Sequence, residues 1–271
     1  MVTCQDLMDT FRTLGLESGD SLIVHSSYRS LGEVEGGPVT VIQALLNCIG
    51  PSGNLMLPTF NYAVPLPEPY FDPTETPGAT GIITETGRKW PGAVRSVHPT
   101  HSVAVIGPKA KEWTKDHLTV RTAGIGSPID LLAKHGGKVL LIGVEHISNT
   151  TIHIAEEYAG VPKAPWAFGL PTISIKLPTG ELISHQVDTS SSCSSAFGGA
   201  EYPLRQKNLI RDLRLGSCKL QMMKGSDVIE NVSRIIREKP DILLCTSPKC
   251  APCTGTRRTA TFSLSSTAPA S

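Results

Sequence analysis

Over the first 160 residues, apolar positions fall into two alternating kinds of run. "TCQDLMDTFRTLGL" and "GGPVTVIQALLNCIG" space them as one helical face does; each ends at a glycine, and Pro38 suits the first turn of the second. "DSLIVHSS", "NLMLPTF", "SVAVIG" and "KVLLIGV" are short continuous apolar runs, the pattern of strands covered on both faces. "SPIDLLAKHGG" reads as a short helix with a proline start and a glycine stop, while "TGIITETGRKWPG" and "KAKEWTKDHL" are helical in part. Strands alternating with helices predict an α/β fold, a layered αβα architecture around a mixed, partly parallel central sheet.

Beyond residue 160 the texture changes. "WAFGLPTISIKLPTGELISHQVD" predicts a β-hairpin turning at Pro178-Thr179-Gly180, and "GSCKLQMMKGSDVIENVSRIIREKPDILLC" a strand followed by an amphipathic helix. The C-terminal half is therefore expected as an added hairpin and helix. The final "TGTRRTATFSLSSTAPAS" is rich in Ser, Thr and Ala without periodicity. These patterns give one domain over residues 1–253 and a disordered tail over 254–271, with no internal repeat.

Composition narrows the function classes. At 39% hydrophobic and 18% charged, the 271 residues suit a globular chain, and a net charge of +1 offers no field for nucleic acid or a membrane surface. No apolar run reaches about 18 residues, and the charged N-terminus lacks a signal-peptide core, so a soluble cytoplasmic protein is expected. The seven cysteines are scattered except for "CTSPKCAPC", holding Cys245, Cys250 and Cys253. A zinc site there needs a fourth ligand, which Cys193 or Cys218 supplies only if the fold brings one close, so no metal is assigned.

Four stretches carry candidate chemistry. In "NTTIHIAEEY", Asn149 or Thr150 caps a helix whose first turns bring His153 near Glu156 and Glu157. An imidazole is a natural general base, and a carboxylate on its other nitrogen fixes the tautomer; a solvated helix face with a packed histidine gives the same spacing. "RSVHPTHSVAVIG" holds His98 and His101, but extended backbone and Pro99 do not aim both rings at one metal, and hydrogen bonding within a turn explains them as well. Around Gly36-Gly37, amides opening a helix suit an anionic group, although neither nucleotide-binding glycine fingerprint is present. Residues 61–77, "NYAVPLPEPYFDPTETP", form a stiff acidic and aromatic loop suited to a polycation or a sugar, or to an ordinary connection.

Taken together, three runs resemble the aminoglycoside 3-N-acetyltransferase family, whose fold is distinct from the common GNAT fold. They are "IVHSSYRSLGEVEGGPVTVIQALLNCIGPSGNLMLPTF", "FDPTETPGATGIITETGRKWPGAVRSVHPTHSVAVIG" and "GSPIDLLAKHGGKVLLIGVEHISNTTIHIAEEYAG". They span roughly residues 20 to 160; the downstream part matches loosely. The resemblance implies acetyl transfer from acetyl-CoA to an aminoglycoside amine by direct attack, with His153 as base and Glu156 beside it. It implies CoA contacts at His25, Ser26, Ser27, Gly36, Gly37, Arg95, His98 and Ser102. Asp72, Glu156 and Glu157 become the acidic contacts to the antibiotic, with Asp188 adding to that wall. No cysteine lies in the matched catalytic motifs, which disfavours a ping-pong route. Rival readings are the same chemistry on another amine, a metallohydrolase using His98, His101, His153 and Glu156 around zinc, and a non-catalytic CoA- or sugar-binding module.

Overall fold

The computed structural model describes residues 1–61, 68–162, 172–186 and 193–265. In chain order its elements are α1 (Cys4–Thr13), β1 (Ser21–Ser26), α2 (Pro38–Ile49), β2 (Asn54–Pro58), β3 (Tyr70–Phe71), α3 (Ile82–Arg88), β4 (Val94–Arg95), β5 (Val103–Ile106), α4 (Ala110–Thr114) and α5 (Pro128–Lys134). Then come β6 (Lys138–Ile142), α6 (Thr151–Tyr158), β7 (Thr172–Lys176), β8 (Leu182–Gln186), α7 (Glu201–Gln206), β9 (Arg211–Leu215), β10 (Cys218–Lys224), α8 (Gly225–Glu238) and α9 (Ala251–Ser265).

Seven strands form one sheet in the order β4-β5-β2-β1-β6-β10-β9. The central β2, β1 and β6 run parallel, and the flanking strands are antiparallel to their neighbours. The continuous apolar runs follow from helices covering both faces. Leu22 and Val24 of β1, Leu55 and Leu57 of β2, and Leu140 and Ile142 of β6 join the core beneath α1 and α2. The intervening Ile23, Met56, Val139 and Leu141 join the opposite core with residues of α5, α6 and α8. The expected αβα layering with a mixed sheet is what the chain adopts.

A second sheet, β3-β7-β8, contains the expected hairpin and a strand that the loop pattern did not predict. Tyr70–Phe71 pairs parallel with β7, and Phe71 is buried with Ile173 and Ile175. Two residues are too few to show a period, so only tertiary pairing reveals this strand. Residues 62–67 of the acidic loop lie outside the described residues. A helix, α9, also occupies much of the stretch expected to be a disordered tail. Among residues 251–259 of this helix, Cys253 and Thr256, one turn apart, are buried in the protein. Among the described residues, no helix is long and apolar enough to cross a membrane.

The turn after β5 depends on glycine. Gly107 has φ +138°, and a Cβ there would fall within contact distance of the Gly53 carbonyl oxygen and 2.9 Å from the Asn54 Cα. Both obstacles are backbone, so they cannot swing aside. Gly107→Ala is expected to cost about 2–3 kcal/mol, combining backbone strain and overpacking. Urea unfolding checks this: a loss below about 0.5 kcal/mol, the usual range of an innocuous surface change, would show that the turn relaxes freely.

Candidate active site

The three parallel strands all deliver their carboxyl ends to one edge of the sheet. From β1 the chain crosses through α2 to β2 over one face, whereas α5 leads into β6 over the other. The carboxyl end of β1 is thus a topological switch point, where open α/β sheets leave a crevice for ligands. His25, Ser26 and Ser27 lie at this end of β1, and α6 begins just beyond the end of β6.

Local sequence chemistry sets the start of α6. Asn149 Oδ1 accepts from the Thr151 N–H at 3.2 Å, so Asn149 provides the cap, and the Thr150 side chain makes no capping bond. Three residues separate His153 from Glu156, which puts them on the same helical face. His153 Nδ1 lies 2.7 Å from Glu156 Oε2, with side-chain exposures of 14% and 7%. An ionised carboxylate only accepts, so beside it Nδ1 is the donor, and a neutral imidazole in that tautomer has its lone pair on Nε2. Phe197 meets the imidazole edge to face, with ring centroids 4.6 Å apart. Forty-four residues separate the two rings in the chain, and nothing in the pattern around "SSAFGG" signalled the contact. The pair is a histidine held in orientation by a carboxylate one helical turn away, largely shielded from water.

The residues expected to bind CoA divide into two groups. Ser26 and Ser27 remain partly exposed at the strand edge. Gly36 and Gly37 both have positive φ (+72° and +71°), and no side chain caps α2 at Gly37, but the Gly37 N–H donates to Val34 O at 3.0 Å, the Thr40 N–H donates to Gly37 O at 3.2 Å, and Pro38 has no N–H to offer. His25 is buried, and burial drives its pKa down to about 3, so the ring is uncharged and cannot serve as a cation for a phosphate.

Arg95, His98 and Ser102, also expected at CoA, all make hydrogen bonds within the protein's own scaffold. Arg95 donates from Nε to Ser102 Oγ (2.9 Å) and Thr59 Oγ1 (3.1 Å), from Nη2 to Thr59 O (2.8 Å), and from Nη1 to Pro73 O and Thr76 O. Burial also lowers its pKa to about 10. Ser102 is fully buried and donates to Thr59 O at 2.9 Å. His98, also buried, accepts at Nδ1 from the Thr100 and His101 amides, and burial holds its pKa well below the usual histidine range. Arg95→Lys keeps the charge but loses the planar fork, leaving carbonyls unpaired, and is expected to cost about 2 kcal/mol. Denaturant unfolding together with the KM for acetyl-CoA checks this. Unchanged stability with a sharply raised KM would show a role in CoA binding and not in the scaffold.

The acidic residues have distinct settings. Asp72 is buried, which alone would raise its pKa, but the Thr74 amide and Lys176 hold it below the ordinary carboxylate value. Its Oδ1 accepts from Thr74 N–H at 2.8 Å and its Oδ2 lies 3.1 Å from Lys176 Nζ. Both oxygens are thus engaged within the protein, and Asp72 organises its own loop. Glu157 Oε1 accepts from the Ile125 N–H at 3.3 Å. Asp188 lies outside the described residues.

The histidines of the metallohydrolase reading do not converge. Among the described residues, His98, His101, His153 and Glu156 form no metal-binding group, whereas Cys193 joins Cys245, Cys250 and Cys253 with sulfurs within 4.8 Å of one another. Cys218 instead contacts Ser30 Oγ at 3.1 Å.

Known proteins share both the sequence and the architecture. A family model described as aminoglycoside 3-N-acetyltransferase matches residues 23–237. Aminoglycoside N(3)-acetyltransferase IV from Salmonella sp is 31% identical over 241 residues, covering 88% of this chain and 89% of that protein. A histidine-to-alanine mutant of aminoglycoside acetyltransferase AAC(3)-IVa, solved in complex with a gentamicin, is 30% identical with a TM-score of 0.82, covering 95% of this chain and 97% of the other. The binary complex of AAC-IIIb with CoASH is 25% identical with a TM-score of 0.75, over 88% and 97% of the respective chains.

Proposed function

Because this chain belongs to the aminoglycoside 3-N-acetyltransferase family, we propose that it transfers the acetyl group of acetyl-CoA to the 3-amino group of an aminoglycoside, with His153 as general base. The observation carrying the catalytic reading is the 2.7 Å contact between His153 Nδ1 and Glu156 Oε2 at the carboxyl edge of the parallel strands.

In this mechanism the substrate amine, in its neutral form, attacks the thioester carbonyl carbon. As the C–N bond forms, His153 Nε2 takes a proton from the nitrogen. Glu156 accepts from Nδ1–H throughout and stabilises the imidazolium. The C–S bond then breaks, and the departing sulfur receives the proton from His153, giving the amide and CoA thiol. Nucleophile and thioester held together gain from proximity, and the low exposure of the His–Glu pair strengthens its electrostatics.

For acetyl-CoA, support comes from the likeness to a relative whose structure is a binary complex with CoASH. Ser26 and Ser27 add hydroxyls at the switch point. For the cationic acceptor, Glu156 and Glu157 place negative charge on α6, and a relative's complex with a gentamicin fits such a substrate.

The test is thiol release from acetyl-CoA by the purified full chain across an aminoglycoside panel, with regiochemistry of the product read by NMR. Acetylation at the 3-amino group is the expected result. Acetyl-CoA binding without turnover on any member would overturn the aminoglycoside assignment and point to a different amine.

A further inference from the structure

The four-cysteine cluster lies outside the catalytic dyad, and no step of acyl transfer uses it. Three of its members come from one short stretch: Cys245, then Cys250 just before α9, then Cys253 in that helix's first turn. The fourth, Cys193, arrives from a distant part of the chain, four residues before Phe197. All four are free thiols, and their sulfurs lie within 4.8 Å of one another. Sulfurs around a tetrahedral zinc, with Zn–S bonds of about 2.3 Å, lie about 3.8 Å apart, so only small inward shifts separate this arrangement from a closed site.

Backbone chemistry around the cluster suits thiolates. The Cys245 N–H points at Cys253 Sγ (3.3 Å), and the Ser195 N–H at Cys193 Sγ (3.5 Å). Such N–H···S contacts orient metal-bound sulfur and spread its charge. Arg257, one helical turn after Cys253, donates to the carbonyls of Leu244 (3.1 Å) and Cys245 (2.7 Å), bracing the ligand loop against α9. Its cation also offsets the net negative charge of a divalent ion held by four thiolates. Hard cations such as Mg²⁺ or Ca²⁺ prefer oxygen donors, whereas an all-sulfur tetrahedral set selects zinc or iron. A closed set of four ligands is the structural type of zinc site, with no position left for substrate.

We propose that Cys193, Cys245, Cys250 and Cys253 bind one structural Zn²⁺, which staples α9 to the segment that sets Phe197 against His153. The staple explains why a tail of small, weakly patterned residues forms a helix on this fold. The ion ties its first turn to the body through metal–sulfur bonds. This goes beyond the sequence reading, which assigned no metal to these cysteines.

The experiment is elemental analysis of the full chain purified without chelator, followed by stepwise titration with a mercurial while a chromogenic chelator reads released zinc. About one zinc per chain is expected, released as four thiolates are consumed. Material produced with Co²⁺ is expected to show thiolate-to-cobalt charge transfer and the intense visible bands of a tetrahedral site. Cys193→Ser is expected to lose most of the zinc and melt at lower temperature, whereas Cys4→Ser retains it. Should Cys193→Ser fail to fold, the wild-type titration and the cobalt spectrum still decide the question. Iron in place of zinc, four cysteines paired as disulfides, or four thiols reacting without metal release would each overturn the proposal. None of these readouts depends on acetyl transfer, so the site stands or falls separately from the catalytic assignment.

Discussion

His153→Ala is expected to lower kcat by about 10²- to 10⁴-fold, the range a positioned general base contributes. At working pH the aminoglycoside amine must shed a proton as it becomes an amide, and Nε2 of His153 is the lone pair that its bond to Glu156 leaves available. Acetyl-CoA affinity is expected to survive, because the imidazole acts on the amine and not on the CoA chain. Alanine also removes a ring that packs on Phe197, with centroids 4.6 Å apart, so a small loss of stability is expected in parallel. His153→Asn separates the two effects, since it fills more of the space without supplying a base. Steady-state and single-turnover kinetics on both variants, with acetyl-CoA binding measured by calorimetry, distinguish chemistry from binding. A kcat near the wild-type value in either variant would remove His153 from the base role and leave the dyad as a packed helix face.

How far the sequence discloses this site depends on which interactions are local. The parallel strands were legible because "DSLIVHSS", "NLMLPTF" and "KVLLIGV" must be buried on both faces, and a single pattern reports that. His153 and Glu156 were legible because three residues of helix fix their proximity without help from the rest of the fold. Arg95, His98 and Ser102 were not, since a polar residue at a strand edge looks the same in sequence whether it faces solvent or the protein. Only the packing of β4 against β5 turns the Arg95 guanidinium onto Thr59 and Ser102. The same limit hid β9, whose "RDLRL" is a polar edge strand paired with β10. It also hid the approach of Cys193 to the C-terminal thiols, a closure across about fifty residues that spacing cannot encode. Short-range chemistry is written in the chain; which polar groups the fold consumes is decided by tertiary packing.

Glu156→Gln tests whether the dyad acts as a unit. The glutamine amide matches the carboxylate in shape at a site only 5% exposed, so the fold is expected to hold. Its oxygen still accepts from Nδ1–H, but it carries no charge to stabilise the imidazolium that forms as the amine attacks. Its –NH2 also offers the opposite arrangement, donating to Nδ1 and driving the imidazole proton onto Nε2, where it blocks the base. Both effects act on the chemical step, and kcat is expected to fall by about 10²-fold or more, with the KM for acetyl-CoA within about twofold of wild type. Glu156→Asp keeps the charge on a shorter arm and is expected to recover part of the loss, which a purely structural role for the carboxylate would not predict. A Glu156→Gln enzyme with kcat within about twofold of wild type would show that the 2.7 Å contact orders α6 without serving the reaction. Should kcat fall and Glu156→Asp rescue it, the charge of this one carboxylate is what converts a helix-borne histidine into a catalytic base.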